Sequence, residues 1–205
     1  MTGATIRVLL AEDQAMMRGA IAVLLDLEDD IEVVAQVSAG TDILPTALQL
    51  RPDVALLDIE LPGVSGLDAA ADLAAQLPEC RVVIVTTFGR PGYLQRAMAA
   101  GAAGFLVKDG PVEGLADAIR QVVSGRTVID PDLAGAALRT PRSPLTLRER
   151  DVLAAAEGGS TVSDIAGQLH LSESTVRNYL SDAIGKTGTR NKTEAALLAR
   201  RNGWL

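Results

Sequence analysis

Hydrophobic residues follow two regimes along the chain. Up to about residue 127, short continuous apolar runs alternate with longer stretches in which apolar positions recur every three to four residues. The continuous runs are Ile6–Asp13 (IRVLLAED), Ile31–Val37 (IEVVAQV), Val54–Asp58 (VALLD), Arg81–Thr87 (RVVIVTT) and Gly104–Lys108 (GFLVK). Such runs suit strands covered on both faces, as in parallel sheets. Between them, Gln14–Leu27, Thr41–Leu50, Gly66–Gln76, Tyr93–Ala100 and Val112–Val123 carry helical spacing. In the first of these, Met16, Met17, Ala20, Ile21, Leu24 and Leu25 form the apolar face, which places both methionines in the core. Five strand–helix units predict an α/β domain, a five-stranded parallel doubly wound sheet with helices on both faces, over residues 1–127.

The pattern then changes. Residues 128–143 read as a linker: Pro131 and Pro141 interrupt it, and a short helix at Asp132–Leu138 fits between them. Residues 144–205 read as an all-α domain of four short helices with strong start signals. Thr146-Leu147-Arg148-Glu149 is a capping-box sequence, Thr161 and Ser172 are N-caps for the second and third helices, and Asn191 opens the fourth. The third helix carries an apolar stripe at Val176, Leu180 and Ile184 and is polar elsewhere. Two short helices joined by a tight turn at His170-Leu171-Ser172, the second polar on its outer face, make a helix-turn-helix arrangement.

Charge sharpens this division. The chain of 205 residues has net charge −7, but residues 1–127 carry −8, residues 128–143 carry zero and residues 144–205 carry +1. The acidity therefore resides in the first domain and does not argue against a nucleic-acid partner for the second. One cysteine and one histidine exclude an internal disulfide framework, a multi-Cys zinc site and paired His ligands. No apolar run reaches the length of a membrane helix, and Met1–Val8 lacks a signal-peptide layout, so a cytoplasmic protein that is not membrane-inserted is expected.

In open parallel sheets the functional site lies beyond the carboxyl ends of the strands. Those ends carry Glu12 and Asp13, Asp58, Thr86 with Thr87, and Lys108. Three carboxylates converging there repel unless a cation joins them, and oxygen ligands with retained waters suit Mg²⁺. With an ammonium and a hydroxyl alongside, the set fits phosphoryl transfer onto a carboxylate. There is no GxGxxG or P-loop sequence, which disfavours a nucleotide-dependent enzyme.

The segments LLAEDQ (9–14), LLDIELPGVSG (56–66), VVIVTTF (82–88) and GFLVKD (104–109), in this order, resemble the receiver domain of bacterial two-component response regulators. The resemblance implies Asp58 as phosphoacceptor, and Glu12, Asp13, Asp58 and the Glu60 backbone carbonyl as ligands of Mg²⁺. It also implies Thr86 and Lys108 as contacts to the phosphoryl group and Phe105 as the switch ring, where many receivers carry tyrosine. Asp109 stands where many receivers have proline, and Glu60 and Thr87 occupy positions that tune phosphoryl lifetime.

LTLRERDVLAAAEGG (145–159), DIAGQLHLSESTVRNYLSDAIGKTG (164–188) and RNKTEAALLA (190–199) resemble the LuxR-type DNA-binding domain of the NarL/FixJ regulators. This implies Arg177, Asn178 and Ser181 facing bases, since Arg pairs with guanine and Asn with adenine in the major groove. Thr161, Thr175 and Lys192 would meet the backbone. LEDDIEVV (27–34), TTFGRPGYLQRA (86–97) and TVRNYLS (175–181) narrow the resemblance to the DesR group, whose kinase is membrane-bound.

The expectation is a DNA-binding transcriptional regulator, not an enzyme. Its partners would be a sensor histidine kinase, double-stranded promoter DNA and, once phosphorylated, a second copy of itself. Two other readings compete. A metal-dependent phosphatase with Asp58 or Asp13 as nucleophile would normally carry a second Asp two residues on, where Asp58-Ile59-Glu60 has none. A receiver used only for protein contacts would not need the acidic site.

Overall fold

The structure is a computed structural model that describes residues 5–87, 89–108, 113–139 and 143–205. The chain packs as two units whose main division falls at Ala134–Gly135.

The first unit alternates β1 (Ile6–Ala11), α1 (Ala15–Leu25), β2 (Ile31–Val37), α2 (Ile43–Leu50), β3 (Val54–Leu57), α3 (Gly66–Gln76), β4 (Arg81–Thr86), α4 (Pro91–Ala99), β5 (Gly104–Val107) and α5 (Glu113–Val123). The residue Val112, expected to open α5, lies outside the described residues. The sheet is parallel throughout, in the order β2-β1-β3-β4-β5-β6. The sixth strand, β6 (Val128–Ile129), departs from the sequence expectation of five. Val128 pairs with Gly104 and Ile129 with Phe105, the Val128 N–H donating to the Ala103 carbonyl at 3.0 Å. The open edge of β5 offers unpaired backbone groups, and two residues suffice to meet them. Pro131–Arg139 then forms α6, so the stretch expected as a linker is largely regular structure up to Arg139.

The continuous apolar runs are buried as their pattern requires. Every residue of β3 is buried, as are Val8–Ala11 of β1. One face of the sheet packs Val8, Leu10, Val54, Leu56, Val83 and Val85 against Ile21 and Leu25 of α1 and Ile119 and Val122 of α5. At roughly 1.5–3 kcal/mol for each fully buried aliphatic side chain, this face and the opposite one, with Leu9, Leu57, Leu73 and Ile84, are the main source of the unit's stability.

α1 corrects one expectation. Its inward stripe is Arg18, Ile21, Ala22 and Leu25, spaced i, i+3, i+4, i+7, and Met16 is 89 % exposed rather than in the core. The segment AMMRGAIAVLL is apolar around most of its circumference, so spacing alone selects no face.

The second unit holds α7 (Leu147–Ala155), α8 (Val162–Leu169), α9 (Glu173–Thr187) and α10 (Lys192–Arg201), the four helices expected. Capping boxes at Thr146/Glu149 and Thr161/Asp164 start α7 and α8; Ser172 and Asn191 cap α9 and α10. Their core is Val152, Leu153, Ile165, Val176, Leu180, Ala183 and Trp204. His170 takes a left-handed conformation (φ 54°) between α8 and α9, the sharp reversal that a helix-turn-helix needs. Buried Glu149 accepts from Lys186 Nζ at 2.6 and 2.9 Å, joining α7 to α9.

Candidate functional site

Parallel strands deliver their carboxyl ends to one edge of the sheet, so residues far apart in sequence meet there. β1 ends at Ala11 and is followed by Glu12 and Asp13; β3 is followed by Asp58; Thr86 closes β4; Lys108 follows β5. Backbone bonds continue the ladder past the strands: Asp58 N–H donates to the Ala11 carbonyl at 2.9 Å and Lys108 N–H to the Thr86 carbonyl at 2.8 Å. These hold the functional residues at fixed heights beside one another.

Glu12, Asp13 and Asp58 each place a carboxylate oxygen within 4.8 Å of the others, the one such acidic cluster among the described residues. Glu12 and Asp58 are buried and Asp13 is exposed, so the cluster opens to solvent on the Asp13 side. Lys108 Nζ lies 2.5 Å from Glu12 Oε2 and 2.8 Å from Asp58 Oδ2, with the three side chains 2–6 % exposed. The second oxygen of Asp58 accepts from the Ile59 N–H at 2.7 Å. Burial works against the Lys108 ammonium, but hydrogen bonds to Asp58 and Glu12 outweigh it and raise its pKa above the ordinary lysine value.

One ammonium cannot balance three carboxylates. The unbalanced oxygens, two buried and one exposed, are hard donors of the kind that hold Mg²⁺ with several waters retained. This chemistry fits a divalent cation. Thr86 is fully buried at the adjacent strand end, and the Glu60 side chain is exposed in the loop after Asp58. Phe105 is fully buried within β5, paired between Ile84 and Ile129.

Two residues that pattern reasoning did not single out stand outside this arrangement and support its backbone. A Cβ on Gly66 would lie 1.9 Å from the Asp58 carbonyl oxygen, so only glycine allows α3 to start this close to the acceptor strand. Arg18 reaches back from α1, its Nη1 donating to the Glu12 carbonyl at 2.6 Å. The first has a weak signal in the Pro62-Gly63-Val64-Ser65-Gly66 turn; the second has none, because its acceptor is main chain. Cys80 takes no part: burial first, then the Asp53 and Glu79 carboxylates, push its thiol up to about 12, leaving it protonated at neutral pH.

In the second unit, Arg177, Asn178 and Ser181 are all exposed on α9, clear of the buried Val176–Leu180–Ala183 side. Arg177 leans toward the helix start and pairs with Glu173 at 2.5 Å. The three expected backbone contacts are engaged within the unit. Thr161 Oγ1 donates to Asp164 Oδ2 at 2.6 Å, Thr175 Oγ1 lies 2.7 Å from Ser172 Oγ, and Lys192 Nζ donates to the Ser160 carbonyl at 2.5 Å. Among the described residues no helix is long and apolar enough to cross a membrane.

Comparison with known proteins agrees with both units. Residues 8–120 match the family described as response regulator receiver domain, and residues 143–199 the family described as bacterial regulatory proteins, luxR family. The chain is 47% identical over 200 residues to the uncharacterized transcriptional regulatory protein YvfU of Bacillus subtilis, covering 98% of this chain and 100% of that one. It is 43% identical to the transcriptional regulatory protein DesR of the same organism, covering 98% and 99%. Among solved structures, the response regulator ChrA of a heme-sensing two-component system superposes with a TM-score of 0.58 at 33% identity, covering 99% and 100%.

Proposed function

The chain belongs to the LuxR-type two-component response regulators, transcriptional regulators with a receiver and a DNA-binding domain, and on that basis we propose that Asp58 is the residue whose phosphorylation switches its DNA binding. The observation that carries this reading is the geometry around Asp58. One buried carboxylate is held between a buried ammonium and a backbone N–H, in an acidic cluster that opens to solvent through Asp13. We take residues 1–127, with the strand Val128–Ile129, as the receiver, the rest of 128–143 as the connecting segment and 144–205 as the DNA-binding domain.

In the reaction an oxygen of Asp58 attacks the phosphorus of a phosphohistidine on a sensor kinase. The new O–P bond forms as the P–N bond breaks, and the imidazole leaves with the electron pair and takes a proton from water. Glu12, Asp13, Asp58 and the Glu60 carbonyl would hold Mg²⁺, which when bound neutralises charge on the transferring group. Lys108 stays protonated at neutral pH and is placed to pair with the phosphoryl oxygens in place of a carboxylate. Thr86 supplies the hydroxyl toward that group, and Phe105, enclosed in β5, responds by packing rather than by a hydrogen bond.

α1 is the face that would bring two copies together. Its outer stripe, Met16, Val23 and, just beyond the helix, Leu27, is 62–89 % exposed, and a cavity of about 420 Å³ lined by Met17, Ile21, Leu24, Leu106 and Leu115 opens beside it. Contiguous exposed apolar surface of this kind marks protein contact. A single DNA-binding domain of net charge +1 neutralises few phosphates and binds weakly; joining two makes the second contact intramolecular and raises avidity by roughly 10²–10⁴. On DNA, Arg177, Asn178 and Ser181 face the bases, while Thr161, Thr175 and Lys192 exchange their internal partners for phosphates.

The test is acetyl phosphate with Mg²⁺, followed by intact mass and sedimentation. Wild type is expected to gain about 80 Da, one HPO₃, and to dimerise; Asp58→Ala does neither. Uptake of the group by Asp58→Ala would remove the assignment, and Leu27→Asp dimerising as well as wild type would remove the α1 face.

A further inference from the structure

We propose that Arg18 is the strut that carries the state of the phosphorylation site to α1, an inference that rests on the reading of Asp58 and of the α1 face given above. The start of α1 has no side-chain cap. Its N-cap residue, Gln14, makes no side-chain capping bond, and the first turn holds no acidic residue to meet the helix dipole. Glu12 accepts two bonds from this helix start, one of which occupies the N–H of Gln14. The Gln14 N–H donates to Glu12 Oε1 at 3.3 Å, and Arg18 Nη1 donates to the Glu12 carbonyl at 2.6 Å, with the Asp13 carbonyl at the 3.5 Å margin. Glu12 is thus shared, one carboxylate oxygen tied to the helix start and the other to Lys108.

Arg18 is the only charged side chain on the inward stripe of α1 and sits at its first turn. On the opposite side of that same turn stands Met16, the most exposed large apolar residue among the described ones. Any adjustment of the Glu12–Asp13 turn, as Lys108 exchanges Glu12 for a phosphoryl oxygen, therefore reaches the first turn of α1 through a short, partly buried hydrogen bond as well as through the chain itself. The chain through Asp13 and Gln14 joins the same two places, but those residues can turn about their backbone dihedrals; the guanidinium adds the second tie that makes the helix follow the turn. Arg18 touches no reacting atom; it is a positioning residue.

The experiment compares wild type, Arg18→Ala and Arg18→Lys with and without Mg²⁺ and beryllofluoride, which stands in for the phosphoryl group. Three readouts are taken: end-point mass after acetyl phosphate, dimer dissociation constant by sedimentation, and hydrogen exchange of residues 15–25. Arg18→Ala is expected to reach the same end-point mass but to dimerise at least tenfold more weakly, and its α1 amides no longer respond to beryllofluoride. Arg18→Lys, which keeps a donor to the Glu12 carbonyl, recovers part of both. Dimerisation and exchange of Arg18→Ala matching wild type would overturn the proposal. So would a folded Arg18→Ala that never takes up the group, since Arg18 would then belong to the site itself. Failure of wild type to take up the group or to dimerise would instead bring down the reading of Asp58 and the α1 face, and Arg18 with it.

Discussion

Replacing Lys108 by methionine keeps the length of the side chain and removes its charge. In the native site the ammonium lies 2.5 Å from Glu12 and 2.8 Å from Asp58, all three side chains at most 6 % exposed. At an effective dielectric of about 20, each contact is worth roughly 6 kcal/mol before desolvation, which takes back most of it. What the variant leaves behind decides the outcome: two buried carboxylates that repel each other with no counterion. Breaking a buried pair from one side costs about 3–5 kcal/mol, a fall in melting temperature of roughly 10–20 °C for a domain of this size. A cation bound to the same carboxylates should restore part of the loss. At one hundred times its dissociation constant a ligand adds about 2.7 kcal/mol, and the variant, lacking the competing ammonium, should gain more than wild type. Thermal melts in chelator and in rising Mg²⁺ measure both effects. A Lys108→Met receiver within about 1 kcal/mol of wild type in chelator, on the scale of an exposed pair, or a gap that Mg²⁺ leaves unchanged, would refute the assignment of Lys108 as the counterion of a cation site.

Further outcomes follow from the same contacts. Gly66→Ala drives a methyl into the Asp58 carbonyl and is expected to destabilise the receiver by about 1–3 kcal/mol and slow phosphorylation by acetyl phosphate at least tenfold, followed by mass. Glu149→Gln keeps an acceptor for the capping box but removes the charge that pairs with Lys186, and is expected to cost about 1–3 kcal/mol at pH 7. Burial opposes the Glu149 charge, but Lys186 and the Thr146 N–H and hydroxyl prevail and hold its pKa below the usual glutamate value. The stability it adds is therefore complete above the unfolded value of about 4.3 and lost as pH falls through the lower folded value, so melts of variant and wild type should converge in acid. Arg177→Ala is expected to lose about 1–3 kcal/mol on duplexes that wild type selects from a randomised pool and little on the unselected pool, measured by titration; equal losses on both would make Arg177 a phosphate contact.

Much of this architecture was legible in the chain because its signals are local. Val54–Leu57 is apolar throughout and bounded too tightly for a helix, so it reads as a strand buried on both faces, and Thr146, Thr161 and Ser172 announce helix starts through caps that involve only three or four neighbouring residues. The strand-end positions of Glu12, Asp58, Thr86 and Lys108 were likewise fixed by where each apolar run stops. β6 was not legible, because two residues carry no periodicity and pair only since β5 leaves an edge beside them.

The sequence by itself determined the order of elements, the division of charge and which side chains stand at the strand ends. Tertiary structure alone decided how those side chains are shared: that Lys108 serves Glu12 and Asp58 together, that Gly66 must lack a Cβ because a carbonyl passes there, and that Arg18 braces main chain rather than facing water. It also chose which side of α1 is buried. A helix apolar around its circumference has no preferred face until a sheet is laid against it, and a contact to a backbone carbonyl leaves no mark in the identity of the residue that accepts it.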